Sequence, residues 1–210
     1  MKGTIITVVI LAVLAVSCSK LPVKVACVGD SITEGARIKW QSKDAYPVIL
    51  DSLLGTDYTV INCGRSAATL QKEGDLPYWR CNEFSNVFAL SPDIIIIKLG
   101  TNDTKPQNWN PDRFESDYQA MIDTFKTIAS HPKICVCIPV PVFKTRWGIN
   151  DSTLTNGVIP IVKMIADKNH LETIDLYKPM LSMGAEFPDD IHPNEKGAFM
   201  MAEIVSKAIK

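Results

Sequence analysis

The chain has 210 residues, with 22 lysines and arginines against 23 aspartates and glutamates, and 46% hydrophobic residues. That length suits one domain with a sizeable core, and the composition excludes disordered and fibrous classes. The charges nearly cancel and no long basic or acidic run interrupts them, which argues against nucleic acid as a partner.

The first residues differ from the rest. Lys2 precedes an uncharged, mostly apolar run from Thr4 to Val16, followed by Ser17 and Cys18. A charged start, a short apolar stretch and small residues before a break describe a secretory signal. As a helix the run would span roughly 20 Å, too short for a hydrocarbon core of ~30 Å. Cys18 stands where bacterial lipoprotein signals place the cysteine that is lipidated, although Ala15 occupies the usual leucine position and Leu14 lies one place earlier. The expectation is a signal peptide over 1–17, a lipidated terminus and short tether over 18–22, and a folded domain over 23–210. Such a chain would be exported to a bacterial cell envelope, in the periplasm or on the cell surface. The lipid would be its only membrane attachment.

Beyond residue 22, strand and helix patterns alternate. Val23–Val28 is a β-rich run ending at Gly29. Tyr46, Ile49, Leu50, Leu53 and Leu54 recur at helical spacing, with Gly55 as a stop. Tyr58–Asn62 reads as a second strand. Asp93–Leu99, with four consecutive isoleucines, reads as a third, buried on both faces. Asn110-Pro111 supplies a cap and a first-turn proline for a helix that sets Phe114, Tyr118, Met121, Ile122, Phe125 and Ile128 on one face. Lys133–Ile138 is a fourth strand. A helix follows around Pro160–Lys168, or starts earlier with a kink at the proline. Leu171–Asp175 is a weaker fifth strand, and Glu195–Ile209 a closing amphipathic helix. Such alternation predicts an α/β fold with a five-stranded parallel sheet covered on both faces. Sites in these sheets form in the loops that leave the carboxyl ends of the strands.

Five cysteines follow Cys18: Cys27, Cys63, Cys81, Cys135 and Cys137. An odd number cannot all pair internally, and a Cys63–Cys81 bridge is conceivable. Free thiols behaving as small hydrophobes are the better reading.

Only three histidines are available. His131 and His170 precede the fourth and fifth strands and so belong to the amino edge of the sheet. His192 alone falls on the carboxyl side. Asp189 stands three residues before it, near enough to orient an imidazole and stabilise its protonated form. Two serines compete as nucleophile. Ser31 follows the first strand in Gly29-Asp30-Ser31, whereas Ser66 in Gly64-Arg65-Ser66-Ala67-Ala68 mimics a nucleophile elbow. Gly100-Thr101-Asn102-Asp103 presents an amide that can donate to a developing oxyanion, and Gly64 has an N–H unobstructed by a β-carbon. With Ser31 attacking, three loops each supply one group, whereas with Ser66 attacking, Ser31 and Asn102 have no task. The sequence also lacks paired histidines or cysteines at zinc spacing and any glycine-rich phosphate loop.

These segments resemble, in order, the conserved blocks of the SGNH/GDSL hydrolase family. Gly29–Thr33 is similar to the first block, with Ser31 as nucleophile. Asn62–Ser66 is similar to the second, with Gly64 as an oxyanion donor. Gly100–Asp103 is similar to the third, with Asn102 as another donor. Asp189-Asp190-Ile191-His192-Pro193 is similar to the last, with Asp189 and His192 completing a triad. The resemblance implies a flavodoxin-like three-layer α/β/α fold, no cofactor, no metal, and ester hydrolysis through an acyl-enzyme in which the Ser31 N–H also serves the oxyanion hole.

The family acts on acetylated sugars, lysophospholipids, thioesters and arylesters. Trp40, Trp79, Trp109 and Trp147 all fall in or beside the loops expected to ring the site, and indole faces pack well on sugar rings. Arg65 and Arg146 stand in the same loops, where they could pair with a substrate carboxylate. These residues favour a carbohydrate O-acetylesterase, of the kind seen in small lipoproteins acting on sialate or xylan esters. A lysophospholipase or thioesterase is the alternative, and an inactive sugar-binding lipoprotein a distant one.

Overall fold

A computed structural model describes residues 21–210; the segment 1–17 expected to be a signal peptide, and Cys18, lie outside the described residues. Strand β1 (Val23–Gly29) leads through the short helices α1 (Ser31–Glu34) and α2 (Gln41–Asp44) into α3 (Tyr46–Leu54). Then come β2 (Tyr58–Gly64), α4 (Asn82–Leu90), β3 (Ile94–Lys98), α5 (Pro111–Lys126) and β4 (Lys133–Ile138). The chain continues through α6 (Asp151–Thr153), α7 (Ile159–Asn169), β5 (Glu172–Asp175), α8 (Tyr177–Met180) and α9 (Glu195–Ile209).

The five strands form one parallel sheet in the order β2-β1-β3-β4-β5. Successive side chains of a strand point to opposite faces. Val25 and Cys27 therefore join Ile94, Ile96, Cys135 and Cys137 in a core layer closed by α3 and α9. Ala26 and Val28 join Ile95, Ile97 and Val136 in the opposite layer, closed by α5 and α7. Every residue of β3 is buried, as a central strand covered on both sides requires. Register sets Gly29 beside Gly64 on one flank and Lys98 on the other, so three loops leave the sheet edge together.

Local chemistry accounts for several boundaries. Asn110 caps α5 by accepting from the Arg113 N–H, and Asn194 caps α9 by accepting from Lys196 and Gly197. The chain around Pro160 begins its helix earlier than the proline, at Asp151, and passes through a π-type turn over Leu154–Val158. Pro160 has no N–H for an intrahelical bond, and the widened turn precedes it. Helix α4 was not anticipated. Its signal is short, with Phe84, Val87 and Phe88 on one face. The five described cysteines are all free: Cys27, Cys63, Cys135 and Cys137 are buried and Cys81 partly so. Among the described residues no helix is long and apolar enough to cross a membrane.

Candidate active site

The turn after β1 is built around Gly29, where a β-carbon would stand 2.0 Å from Thr33 Oγ1 and 2.9 Å from the Lys98 carbonyl oxygen. Asp30 then caps α1 by accepting from the Ile32 N–H at 3.0 Å. Ser31 is consequently the first residue of that helix, and its N–H belongs to the unpaired first turn. Its hydroxyl reaches across the sheet edge to the loop before α9, where Ser31 Oγ lies 2.9 Å from His192 Nε2. His192 Nδ1 lies 2.9 Å from Asp189 Oδ2.

Asp189 is held from several sides. Its Oδ1 accepts from the N–H groups of Ile191 at 3.1 Å and His192 at 2.7 Å. Arg37 Nε stands 3.4 Å from Oδ2. Partial burial alone would raise the carboxyl's pKa, but the bonds from His192 and Ile191 outweigh it and hold the group below its ordinary range. An ionised carboxylate accepts only, so Nδ1 of His192 carries the proton and Nε2 is left to accept from the serine hydroxyl. The arrangement can deprotonate Ser31.

A cavity of about 310 Å³ opens over Ser31 and His192, walled by Ser66, Ala67, Asn102 and Trp147 among others. Asn102 is buried; its amide donates to the Ala68 carbonyl at 3.2 Å, leaving its second hydrogen without a partner among the described residues. The second expected donor is corrected by the structure. Gly64 is not on the cavity wall, and its N–H donates to Asn62 Oδ1 at 2.9 Å. Its missing β-carbon serves packing instead, because one there would meet Glu34 N at 2.2 Å. The wall at this point is Ala67, with a left-handed backbone (φ 65°), and its N–H makes no hydrogen bond among the described residues. No sequence signal marked Ala67.

The four tryptophans divide. The Trp79 N–H donates to the Leu70 carbonyl at 2.8 Å while its ring packs on Phe84. Trp109 packs on Phe114 and over Gly157, where no β-carbon would fit. Trp40 is exposed beneath Lys39 and away from the cavity wall. These three indoles are occupied in packing or stand apart. Only Trp147 borders the cavity, its ring centroid 6.1 Å from that of His192. Arg65 lies beside Glu83 in a separate recess, and Arg146 bonds Asp190 through Nε at 3.1 Å. Ser66 lines the cavity and donates to Glu34, and is not the serine joined to His192. His131 and His170 sit before β4 and β5, at the opposite edge.

Sequence reasoning missed Arg37, which borders the cavity and touches both Asp189 and Trp147. A lone exposed arginine after a helix stop carries no local signal. Among the described residues no cluster of three or more histidines, cysteines or carboxylates is placed to hold a metal ion.

Residues 27–198 match the model of the GDSL-like lipase/acylhydrolase family. Over 207 residues the chain is 41% identical to an acetylxylan esterase of Xylanibacter ruminicola, covering 90% of this chain but 43% of that protein. The chain thus spans less than half the length of this relative. The crystal structure of the acetyl xylan esterase AlAXEase superposes with a TM-score of 0.72 at 22% identity, covering 90% of this chain and all of the other. Est24, a carbohydrate acetylesterase from Sinorhizobium meliloti, superposes at 0.70 with 22% identity over 88% of this chain and 97% of its own. At these identities the superpositions speak for the fold, a three-layer α/β/α sandwich. The family match covers most of the sequence, and the chain belongs to the GDSL-like lipase/acylhydrolase family of ester hydrolases.

Proposed function

We infer that the chain removes O-acetyl groups from carbohydrates, with Ser31 as nucleophile, His192 as general base and acid, and Asp189 as its orienting carboxylate. The observation that carries this reading is the unbroken chain of two 2.9 Å contacts from Ser31 Oγ through His192 to Asp189. Its likeness to an acetylxylan esterase supports the acetyl and carbohydrate assignments.

In this reading Ser31 Oγ attacks the acetyl carbonyl carbon as its proton passes to His192 Nε2. The carbonyl oxygen becomes an oxyanion stabilised by the N–H of Ser31, the N–H of Ala67 in place of that of Gly64, and the Asn102 amide. Collapse breaks the bond to the sugar oxygen, which takes the proton from His192, leaving acetyl-Ser31. Water then attacks the acyl carbon, giving its proton to His192, and acetate leaves as Ser31 regains a hydrogen. The catalytic residues are this chain's own side chains and backbone. Residues 2–18 further support export to a bacterial envelope with Cys18 as the lipid-bearing residue.

The test is acetate release from O-acetylated xylo-oligosaccharides, together with covalent labelling by a fluorophosphonate. Wild type should do both and Ser31→Ala neither. Labelling that persists in Ser31→Ala would move the nucleophile elsewhere. Rates that climb steadily with acyl length beyond about six carbons, at ~0.8 kcal/mol per buried methylene, would instead indicate a lipid esterase.

A further inference from the structure

Trp147 is held where a folding chain gains least from a tryptophan. It is 56% exposed, and its backbone is left-handed at φ 52°, an uncommon and strained setting for a bulky residue. The turn that carries it is braced on both sides. Arg146 and Ile149 exchange backbone hydrogen bonds of 3.1 and 2.8 Å. Gly148, also left-handed at φ 82°, lies against Lys105 and Pro106. The Asn150 amide donates to the Thr104 carbonyl at 2.8 Å, and Arg146 Nε donates to Asp190 Oδ2 at 3.1 Å. Strain that surrounding contacts sustain this thoroughly is a pointer to function.

The position of the ring indicates which function. Trp147, Arg37 and His192 border the cavity over Ser31, and the same three border a second cavity of about 450 Å³ that extends toward Asp189, Pro193 and Asn194. Both volumes fall within the range of small-molecule pockets. The two cavities differ chemically. Ser31 and Asn102 line only the first, so the acyl carbon and its oxyanion belong there. The alcohol oxygen must meet His192 as it leaves, because His192 donates its proton. His192 and Trp147 wall both cavities, so an alcohol portion too large for the first can continue along them into the second.

We propose that this second cavity is the binding site for the sugar ring that carries the ester, with Trp147 as its stacking platform and a neutral pyranose as its ligand class. The proposal rests on the esterase reading above. Its lining mixes one indole face with the polar heads of Arg37, Arg146 and Asn194, a combination that suits a ring with apolar C–H faces and hydroxyl edges. Both guanidinium groups already face carboxylates, Arg37 on Asp189 at 3.4 Å and Arg146 on Asp190 at 3.1 Å. Each guanidinium is thus held by a carboxylate, Asp190 being shared with the exposed Lys144 at 3.6 Å, and the N–H groups left over are set to donate to ring hydroxyls.

The experiment compares full-length wild type, Trp147→Ala and Trp147→Phe on three esters: O-acetylated xylo-oligosaccharide, an acetylated glucuronic acid, and ethyl acetate, whose alcohol side has no ring. Trp147→Ala should raise KM for the xylo-oligosaccharide about ten-fold, and lower kcat/KM for it far more than for ethyl acetate. Trp147→Phe, which keeps a flat apolar face, should recover most of the difference. Wild type should prefer the neutral sugar ester to the uronic acid ester. Equal loss on the oligosaccharide and ethyl acetate would mean that Trp147 acts only through His192, and would overturn the sugar site while leaving the esterase reading intact. Preference for the uronate would overturn the neutral ligand class. Wild type that released acetate from none of the three would remove the esterase reading and this inference with it.

Discussion

Lys98 Nζ lies 3.0 and 3.1 Å from the two carboxylate oxygens of Asp30, and neither side chain has any exposure to solvent. The same ammonium donates to Thr101 Oγ1 at 3.0 Å. One buried cation thus joins the turn that carries Ser31 to the loop that carries Asn102. Burial drags the Lys98 ammonium below its ordinary pKa, with Asp30 opposing that pull. Removing one member of a buried pair strands the other, which typically costs ~3–5 kcal/mol. Lys98→Met should therefore lower unfolding free energy by roughly that amount in denaturant titrations. Lys98→Met combined with Asp30→Asn should cost less than the two single changes added together, because no charge is then left unpaired.

The Asp189–His192 contact predicts a selective kinetic loss. Asp189→Asn keeps the size of the side chain but presents an amide that cannot favour the Nδ1–H tautomer. The expected outcome is a fall in kcat of ~10³–10⁴ with a much smaller change in KM, measured on an acetyl ester. A change confined to KM would contradict the assigned role.

Gly64 and Ala67 should respond oppositely to exchange of a methyl group. Gly64→Ala places a β-carbon 2.2 Å from Glu34 N and 2.7 Å from the Thr33 carbonyl carbon, both backbone atoms that cannot step aside singly. A loss of about 1–3 kcal/mol or more is expected. Ala67→Gly relieves a left-handed alanine at φ 65°. Thermal unfolding should show a gain of up to about 1 kcal/mol, reduced by the greater freedom glycine gives the unfolded chain.

Asp103 carries a pH dependence. Full burial pushes its carboxyl up to about 6, against the pull of the Gln71 and Leu70 N–H groups that bond it at 2.9 Å. The folded protein therefore holds this proton more tightly than the unfolded chain, whose value is near 3.8. Its contribution to stability is greatest below that lower value and is lost as pH rises toward and through about 6. Equilibrium unfolding across this window should show wild type losing stability relative to Asp103→Asn as pH rises.

Cys18 offers a test at the level of the cell. With the full chain expressed in a bacterial host, wild type should fractionate with membranes and Cys18→Ala with soluble envelope contents. Equal solubility of both would exclude a lipid attachment at this residue.

Much of the fold could be read locally. The four isoleucines of β3 announced a strand covered on both faces, and Asn110-Pro111 marked the start of α5. His192 could be singled out because topology placed the other histidines at the far edge. Such features depend on a residue and its near neighbours, and hydrophobic periodicity reports them directly. Other decisions belong to tertiary structure alone. Trp79 and Trp147 look alike in sequence, yet one is tied to the Leu70 carbonyl and the other is held out between two cavities. Whether Gly64 or Ala67 turns its N–H to the cleft depends on backbone angles set by packing against Glu34, thirty residues earlier in the chain. Lys98 and Asp30 meet across 68 residues of sequence. The direction of a loop N–H or an indole ring is settled by contacts between distant segments, and no local pattern encodes those contacts.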